Sequence, residues 1–301
     1  LAWKTLRWPP YDVFSGEADL YHFPNFIIPP LRRKKAIVTI HDMSFMAYPH
    51  FAEEGNVRYL RRHLEETAKR ADAIITISHF SAREICRYLD VSESRVFPVY
   101  LGIADRFARP DSETTARVLA DCKLDRPYLL TVGTVEPRKN IPFLVEAFEQ
   151  LKDFDGDLVI AGGYGWKYEP VLERIRKSPR AESIRCLGYT SDEQLPSLYA
   201  GASAFVTTSH YEGFGFPPVE AMACGTPVVS SMGGSLAEVL GDGALLIEGS
   251  SAEDWAEQIR RVLGDSALRE TLIHRGRNKA ASYSWAKTAK ETMDVYRRVA
   301  S

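Results

Sequence analysis

Two glutamates, Glu212 and Glu220, lie in the stretch TTSHYEGFGFPPVEAMACG, residues 207–225, with seven residues between them. Pro217 and Pro218 fit the first turn of a helix, because the proline ring fixes φ and its missing N–H is not needed there. The pair therefore predicts a helix that begins just before Glu220. Glu212 is then expected in the preceding loop, and Glu220 in the first helical turn.

Glycines lie on both sides of this predicted helix. Gly213 and Gly215 let a ligand approach the backbone closely, and the free N–H groups at a helix start favour an anion. Gly225 is the predicted C-cap. The pattern indicates a site for a polar, phosphorylated ligand. Simpler explanations stay open, since a glutamate in a first turn also stabilises the helix dipole and a Gly-Phe-Gly loop can be a tight turn.

A second polar segment, Gly133-Thr-Val-Glu-Pro-Arg-Lys-Asn140, follows a predicted strand. Asn140 is a suitable N-cap, which places Arg138 and Lys139 at a helix N-terminus. A guanidinium, an ammonium and free N–H groups together can hold a diphosphate and stabilise the charge that develops as a bond breaks. The alternative is a solvated surface pair, and in either case we expect both cations to be exposed.

Strands alternate with helices along the chain, which predicts an α/β fold with parallel sheets covered on both faces. Residues 104–126 are polar and irregular, with no clear strand, and are expected to form the linker and the entry into a second domain. The stretch 252–299 is helical by pattern. The predicted strands are 18–23, 36–40, 73–77 and 95–99 before the linker, and 128–132, 158–161, 184–187, 203–207, 227–230 and 244–247 after it.

The composition is that of an ordinary globular protein with about two domains, since the 301 residues are 45% hydrophobic and 26% charged. A net charge of −2 gives no reason to expect a nucleic-acid partner. The four cysteines lack metal-type spacing and no metal-ligand cluster is visible. The chain does not begin with Met, so we expect the natural N-terminus, and any targeting segment, to lie further upstream.

The run EGFGFPPVEAMACGTPVV, with Gly233 and Gly234 after it, resembles the acidic motif of the family 4 retaining glycosyltransferases, the glycogen-synthase-like group. The resemblance implies the GT-B architecture, two Rossmann-like domains facing across a cleft. Residues 1–105 would form an acceptor-side domain and 106–284 the nucleotide-sugar domain, with a C-terminal helix, 285–301, packed back on the first. Trp285, Met293 and Tyr296 are its expected apolar anchors. Family members begin with a strand and a glycine-rich loop, which we do not find before Ala18.

The resemblance also implies roles for the two glutamates and the two cations. Glu220 would bind the ribose hydroxyls of the donor, and Glu212 its sugar. Arg138 and Lys139 would take the charge of the leaving diphosphate. The acceptor would attack from the leaving-group side with a phosphate oxygen as the base, so that neither a metal nor another cofactor is needed.

The remaining predicted site residues each have a structural alternative. His41, after a strand of the first domain, matches the family histidine that contacts the donor sugar, yet it can equally be a structural histidine. His22 and Asn25 are predicted to line an acceptor pocket. Tyr189 is expected to stack on the base, although an exposed aromatic beside a turn is as good an explanation. The predicted catalytic residues are Arg138, Lys139, Glu212 and His41, and the predicted donor-binding residues are Gly133, Gly162, Gly163, Tyr189, Gly213, Phe214, Gly215 and Glu220.

The motif run is similar to bacterial enzymes that build surface polysaccharides, mannosyltransferases among them. We therefore expect a hexosyltransferase that uses GDP-mannose or a UDP-sugar and a glycan or lipid-linked acceptor, in the cytoplasm or at the inner face of the membrane. The basic residues 32–35 and the basic helix 56–70 are solvated faces or contacts for anionic lipid or an acceptor diphosphate. A non-catalytic nucleotide-sugar-binding protein is one alternative. A glycoside hydrolase that uses the two glutamates is another.

Overall fold

A computed structural model describes residues 8–301 except 17, 33 and 250, so that Arg33 of the basic run lies outside the described residues. The chain divides into two units, and the second spans Ile103–Ser284. The first unit contains the described residues up to Gly102 together with Trp285–Ser301.

Strands and helices alternate through both units. The strands are β1 (Leu20–Phe23), β2 (Lys35–Thr39), β3 (Ala73–Thr76), β4 (Val96–Pro98), β5 (Tyr128–Val132), β6 (Asp157–Ala161), β7 (Ile184–Gly188), β8 (Ala204–Thr207), β9 (Val228–Ser231) and β10 (Ala244–Ile247). The α-helices are α1 (Ser44–Ala47), α2 (Glu54–Arg70), α3 (His79–Leu89), α4 (Ser112–Asp121), α5 (Ile141–Gln150), α6 (Glu169–Arg176), α7 (Leu195–Gly201), α8 (Phe216–Ala223), α9 (Leu236–Leu240), α10 (Ala252–Gly264), α11 (Ser266–Ala281) and α12 (Trp285–Ala300).

The described part of the first unit holds a parallel sheet in the order β1-β2-β3-β4. Strand side chains alternate between the two faces, so that Val38 and Ile74 pack with Leu64 of α2 on one face. On the other face, Ile37 and Ile75 pack with α12. Both faces are covered, which explains why β2 and β3 are apolar along almost their whole length.

Helix α12 packs on this sheet through one of its three expected anchors, Tyr296, and through two valines. Val295 is buried against the sheet, and Tyr296 and Val299 pack beside it. Trp285 and Met293 are 50% and 45% exposed, so the expectation that they anchor the helix is wrong. At 100° per residue, Met293 lies on the side of the helix opposite Val295, whereas Trp285 is the first residue of the helix.

The second unit holds a parallel sheet in the order β10-β9-β8-β5-β6-β7. From β5 the chain builds outward through β6 and β7, then returns to the other side of β5 with β8. The strand order therefore reverses between β5 and β8. In open α/β sheets, ligands bind beyond the carboxyl ends of the strands at such a switch point.

The sequence suggested that the polar stretch 104–126 is irregular. The structure corrects this, because the stretch contains helix α4. The Asp111 side chain caps this helix by accepting a hydrogen bond of 2.7 Å from the Thr114 N–H. Helix α4 packs on α7 but contains no buried residue. The predicted strands, by contrast, agree with the observed ones to within two residues. Among the described helices, none combines the length and the apolar character needed to cross a membrane.

Candidate active site

The loops that follow β5 and β8 are joined by hydrogen bonds at the switch point. The His210 N–H donates to the Arg138 carbonyl at 2.9 Å. The Thr208 hydroxyl lies 3.1 Å from the Lys139 carbonyl oxygen and 3.0 Å from that of Asn140. The basic segment and the stretch that leads to Glu212 therefore hold each other in place.

Four charged side chains, Glu136, Arg138, Lys139 and Glu212, form what we call the charge cluster. Arg138 Nη1 donates to Glu212 Oε2 at 2.8 Å and to the Tyr211 carbonyl at 2.7 Å. Its Nε and Nη2 donate to Glu136 Oε1 at 3.0 and 2.7 Å. Lys139 Nζ donates to the other Glu212 oxygen, Oε1, at 2.7 Å. The cluster thus places two cations at the switch point, each held by a carboxylate.

The cluster is largely buried, and this decides the charge of Glu212. Burial alone would raise the pKa of Glu212, but the nearby Lys139 ammonium and Arg138 guanidinium, with hydrogen bonds from Lys139 and Ser209, lower it to about 2. The side chains of Arg138 and Lys139 are only 24% and 14% exposed. The expectation that both are exposed is wrong, because each bonds to the buried carboxylate.

At two of the predicted donor-binding positions, backbone conformation and packing within the protein already require glycine. Gly133 has φ +143°, and a Cβ there would lie 3.1 Å from Cε of Lys139. Gly162 has φ +142°, and a Cβ there would lie 2.1 Å from the Gly133 carbonyl oxygen. A Cβ on Gly163 would meet nothing within 4 Å. Only Gly163 of these three therefore presents open space above its backbone.

The loop after β9 fixes the backbone of Glu212. Gly234 forms a β-bridge with Glu212, and the Ser235 N–H and hydroxyl donate to the Glu212 carbonyl at 2.9 and 3.0 Å. A Cβ on Gly234 would lie 2.4 Å from the same oxygen. The Gly-Gly pair of the motif thus lets this loop approach Glu212. Neither Ser235 nor Glu136 was predicted from the sequence as a site residue. The only sequence signal for Glu136 was its acidic side chain, two positions before Arg138.

Glu220 does not lie in the first turn of α8, as predicted, but in the second. The helix begins at Phe216, so Phe216, the two prolines and Val219 fill the first turn. Glu220 Oε2 accepts a hydrogen bond of 2.8 Å from the hydroxyl of Tyr199 on α7. Burial raises the pKa of Glu220, and the Tyr199 bond opposes this.

Two predicted helix caps differ from the structure. Asn140 precedes α5, but its backbone is left-handed, with φ +51°, and its side chain makes no capping hydrogen bond. Asn tolerates this conformation better than most residues, which accounts for its presence. The C-cap of α8 is Cys224, and Gly225 follows it with φ +76°. A glycine in this position is the common end of a helix.

The other donor-side residues differ in exposure. Tyr189 is 84% exposed, and Phe214 is buried between the rings of Phe216 and Tyr283. Gly215 has φ +94°, and a Cβ there would lie 2.7 Å from Leu236. The aromatic ring of Phe214 therefore packs inside the protein, whereas that of Tyr189 is open to a ligand.

His41, His22 and Asn25 lie in the first unit. His41 Nε2 is 3.1 Å from the Pro24 carbonyl oxygen. His22 has a partner at both ring nitrogens, Tyr296 Oη at 2.6 Å from Nδ1 and Thr39 Oγ1 at 2.8 Å from Nε2, and burial lowers its pKa. These two bonds give His22 a structural role between β1, β2 and α12, whereas Asn25 is exposed. In the part of the chain that the structure describes, no group of three His, Cys, Asp or Glu residues could hold a metal ion.

Comparison with known proteins identifies the family. Residues 116–279 match the family described as glycosyl transferases group 1, and residues 2–107 match glycosyltransferase family 4. Over 282 residues the chain is 36% identical to the O-antigen chain mannosyltransferase B of Escherichia coli, covering 92% of this chain and 74% of that relative. This chain belongs to the group 1 and family 4 glycosyltransferases. The predicted family is confirmed.

Further relatives agree with this assignment. The glycosyltransferase is 28% identical over 302 residues to the serotype-specific mannosyltransferase WbdA of Escherichia coli, but spans only 36% of that protein. Among solved structures, sucrose-phosphate synthase from Thermosynechococcus elongatus superposes with a TM-score of 0.75 at 25% identity, covering 89% of this chain and 68% of that one. WaaG, a glycosyltransferase involved in lipopolysaccharide biosynthesis, gives 0.74 at 18% identity, over 92% and 78% of the two chains. The predicted fold class, α/β with two Rossmann-like domains, is confirmed.

Proposed function

We propose that this glycosyltransferase moves a hexose, with mannose favoured, from a nucleotide-diphosphate sugar to a glycan or lipid-linked glycan in surface polysaccharide synthesis. The preference for mannose, and for GDP-mannose over a UDP-sugar, is supported by the names of the two Escherichia coli relatives, both mannosyltransferases. The donor class is supported by the charge cluster, whose two cations lie at the switch point of the nucleotide-binding type of sheet.

The single observation that carries the proposal is that the Glu212 carboxylate forms ion pairs with both Arg138 and Lys139. A diphosphate gains negative charge as its bond to the sugar breaks, and cations that are already fixed stabilise that charge without reorganising. The cluster is formally neutral, since it holds two cations and two carboxylates. It therefore offers oriented donors and a local field more than a net positive charge.

The stereochemistry and the base belong to the same proposal. The reaction proceeds with retention, the acceptor attacks on the side of the leaving group, and a phosphate oxygen of the donor takes the acceptor proton. Arg138 and Lys139 then serve the role for which other transferases use a metal ion, because their oriented N–H donors stabilise the charge on the leaving diphosphate. Glu220 binds the ribose, Glu212 the sugar, and Tyr189 the base.

The geometry of Glu212 disfavours the hydrolase alternative. A retaining hydrolase needs a free carboxylate as nucleophile beside a protonated carboxylic acid. Both oxygens of Glu212 are bonded to cations, which makes them poor nucleophiles, and its pKa of about 2 leaves no proton to donate at neutral pH.

We further propose that the enzyme acts in the cytoplasm, with peripheral contact to the inner face of the membrane. Three exposed arginines of α2, Arg58, Arg61 and Arg62, support contact with anionic headgroups. Binding to vesicles with and without anionic lipid tests this placement separately from the activity.

The experiment for the activity measures nucleotide release from GDP-mannose, UDP-glucose and related donors, with and without glycan acceptors. We expect release that depends on the acceptor, is greatest with GDP-mannose, persists in EDTA and gives a product with the anomeric configuration of the donor. Tight binding of the donor without any transfer to the full acceptor panel would favour the non-catalytic alternative.

A further inference from the structure

The carboxylate of Glu220 has one oxygen inside the protein and one at its surface. Oε2 accepts the hydrogen bond of 2.8 Å from Tyr199. No hydrogen bond from the described residues reaches Oε1. Within the same residues, Ser197 Oγ is the one buried side-chain oxygen or nitrogen without a partner, so Oε1 is reached by solvent.

Tyr199 is held by the packing of its ring and by a hydrogen bond to its backbone. Its side chain is fully buried, with its ring centroid 5.8 Å from that of Phe205 and 6.1 Å from that of Phe107. Its carbonyl oxygen accepts a hydrogen bond of 2.5 Å from the hydroxyl of Thr226. Packing on two sides and this backbone bond therefore define the position of the Tyr199 hydroxyl.

We propose that Tyr199 is a positioning residue for the donor nucleotide, whose hydroxyl holds Glu220 so that Oε1 accepts hydrogen bonds from the two hydroxyls of a ribose. The inference rests on the proposed function, in which Glu220 binds the ribose. Tyr199 does not touch the donor. It removes rotamer freedom that Glu220 would otherwise lose on binding, and so strengthens the contact.

The fold supplies a matched control for this hydroxyl. Tyr128 is also fully buried, and its hydroxyl donates a hydrogen bond of 2.7 Å to the carbonyl oxygen of Leu198. Leu198 directly precedes Tyr199 on α7. Tyr128→Phe removes a buried hydroxyl bonded to α7 and leaves the bond between Tyr199 and Glu220 intact. Any general loosening of α7 should appear in both Tyr→Phe variants.

The test compares the affinity of GDP with that of 2′,3′-dideoxy-GDP, and of UDP with its dideoxy analogue, by calorimetry. We expect the wild type to bind the ribonucleotide more tightly than the dideoxy analogue. In Tyr199→Phe the ratio of the two affinities should fall about tenfold, which corresponds to the usual contribution of one hydrogen bond to a charged group. Tyr128→Phe should keep the full preference. An undiminished preference in folded Tyr199→Phe overturns the proposal.

A measurement on the wild type covers the case in which Tyr199→Phe does not fold. With 13C-labelled tyrosine, the Cζ resonance of Tyr199 should shift on addition of GDP and stay in place with the dideoxy analogue, because ribose hydroxyls on Oε1 weaken the bond at Oε2. Identical spectra with both ligands overturn the positioning role. A wild type that binds both nucleotides equally instead contradicts the ribose contact of Glu220, and thus that part of the proposed function.

Discussion

Lys139 Nζ lies 2.7 Å from Oε1 of Glu212, although 73 residues separate the two along the chain. The two side chains come from loops after neighbouring strands, β5 and β8. The basic segment and the acidic motif, which the sequence presents as separate features, are therefore one structure. Its buried carboxylate orients the cations that we propose to meet the leaving diphosphate.

Replacing Lys139 by Met should lower kcat on the order of 10²-fold or more, because one preorganised charge is lost from the transition state. Met keeps the aliphatic stem that lies over Gly133, so the local packing is retained. Steady-state kinetics with a saturating donor measures the effect. Arg174→Met is the control, since Arg174 pairs with Glu149 at 2.7–2.8 Å elsewhere in the same unit. Equal loss of kcat in both variants would count against a catalytic role for Lys139.

Glu212→Gln should destabilise the second unit by roughly 3–5 kcal/mol, because Lys139 loses its carboxylate partner and Arg138 keeps only Glu136. A nucleoside diphosphate that binds these cations should restore part of the loss. Urea unfolding with and without GDP or UDP measures both effects. A variant as stable as the wild type would show that the charge cluster does not hold the two loops together.

The free energy of unfolding should fall in acid over a pH range set by the pKa of Glu212. Its pKa is about 2 in the folded protein against an ordinary value of 4.5, so the unfolded chain takes up the proton first as the pH drops. The contribution of Glu212 is complete above pH 4.5 and is lost between that pH and about 2, a change of roughly 3 kcal/mol. The unfolding free energy of Glu212→Gln should depend less steeply on pH in this range. Parallel pH profiles for the two proteins would contradict the assignment.

Adjacent glycines after β6 should respond differently to the same substitution. Gly162→Ala should cost roughly 3 kcal/mol, because its Cβ would collide with the Gly133 carbonyl oxygen and φ is positive. Gly163→Ala should leave the unfolding free energy nearly unchanged, since a Cβ there meets nothing. If the donor approaches this backbone, Gly163→Ala should nevertheless weaken nucleotide binding. Normal binding by that variant would remove Gly163 from the donor site.

The two predicted acceptor residues should also behave differently. His22→Ala should lower the thermal midpoint, because it breaks the bonds to Thr39 and Tyr296. Asn25→Ala should leave the midpoint unchanged, as Asn25 is exposed, and raise KM for the acceptor if the prediction is right. Thermal unfolding and acceptor titrations separate these effects. An unchanged KM in Asn25→Ala would end the acceptor assignment.

The sequence predicted the strands closely because buried parallel strands are short apolar runs between turn residues. It predicted Arg138, Lys139 and Glu212 as site residues from their loops and the family resemblance. It could not predict that Glu212 bonds to both cations, since nothing local encodes a contact between distant loops. The buried hydroxyl of Tyr199 likewise gave no signal, because its position on an apolar helix face is that of any core residue.

Helix α4 and the anchors of α12 were missed for a different reason. Helix α4 contains no buried residue, so the N-cap at Asp111 was a better signal for it than its apolar content. In α12 the largest apolar side chains, Trp285 and Met293, are exposed, while the smaller Val295 is buried. Residue size was therefore a poor guide to the side chains that bury this helix.

The return of α12 to the first unit constrains the order in which the chain can fold during its synthesis. Residues 285–301 leave the ribosome only after the whole of Ile103–Ser284 has been made. Until then Ile37, Ile75 and Val99 lack the helix that covers them. The second unit can fold as it emerges, whereas the first must wait with one apolar face open to water and to chaperones. Translation that stops before α12 should therefore yield a chain that aggregates through its N-terminal part.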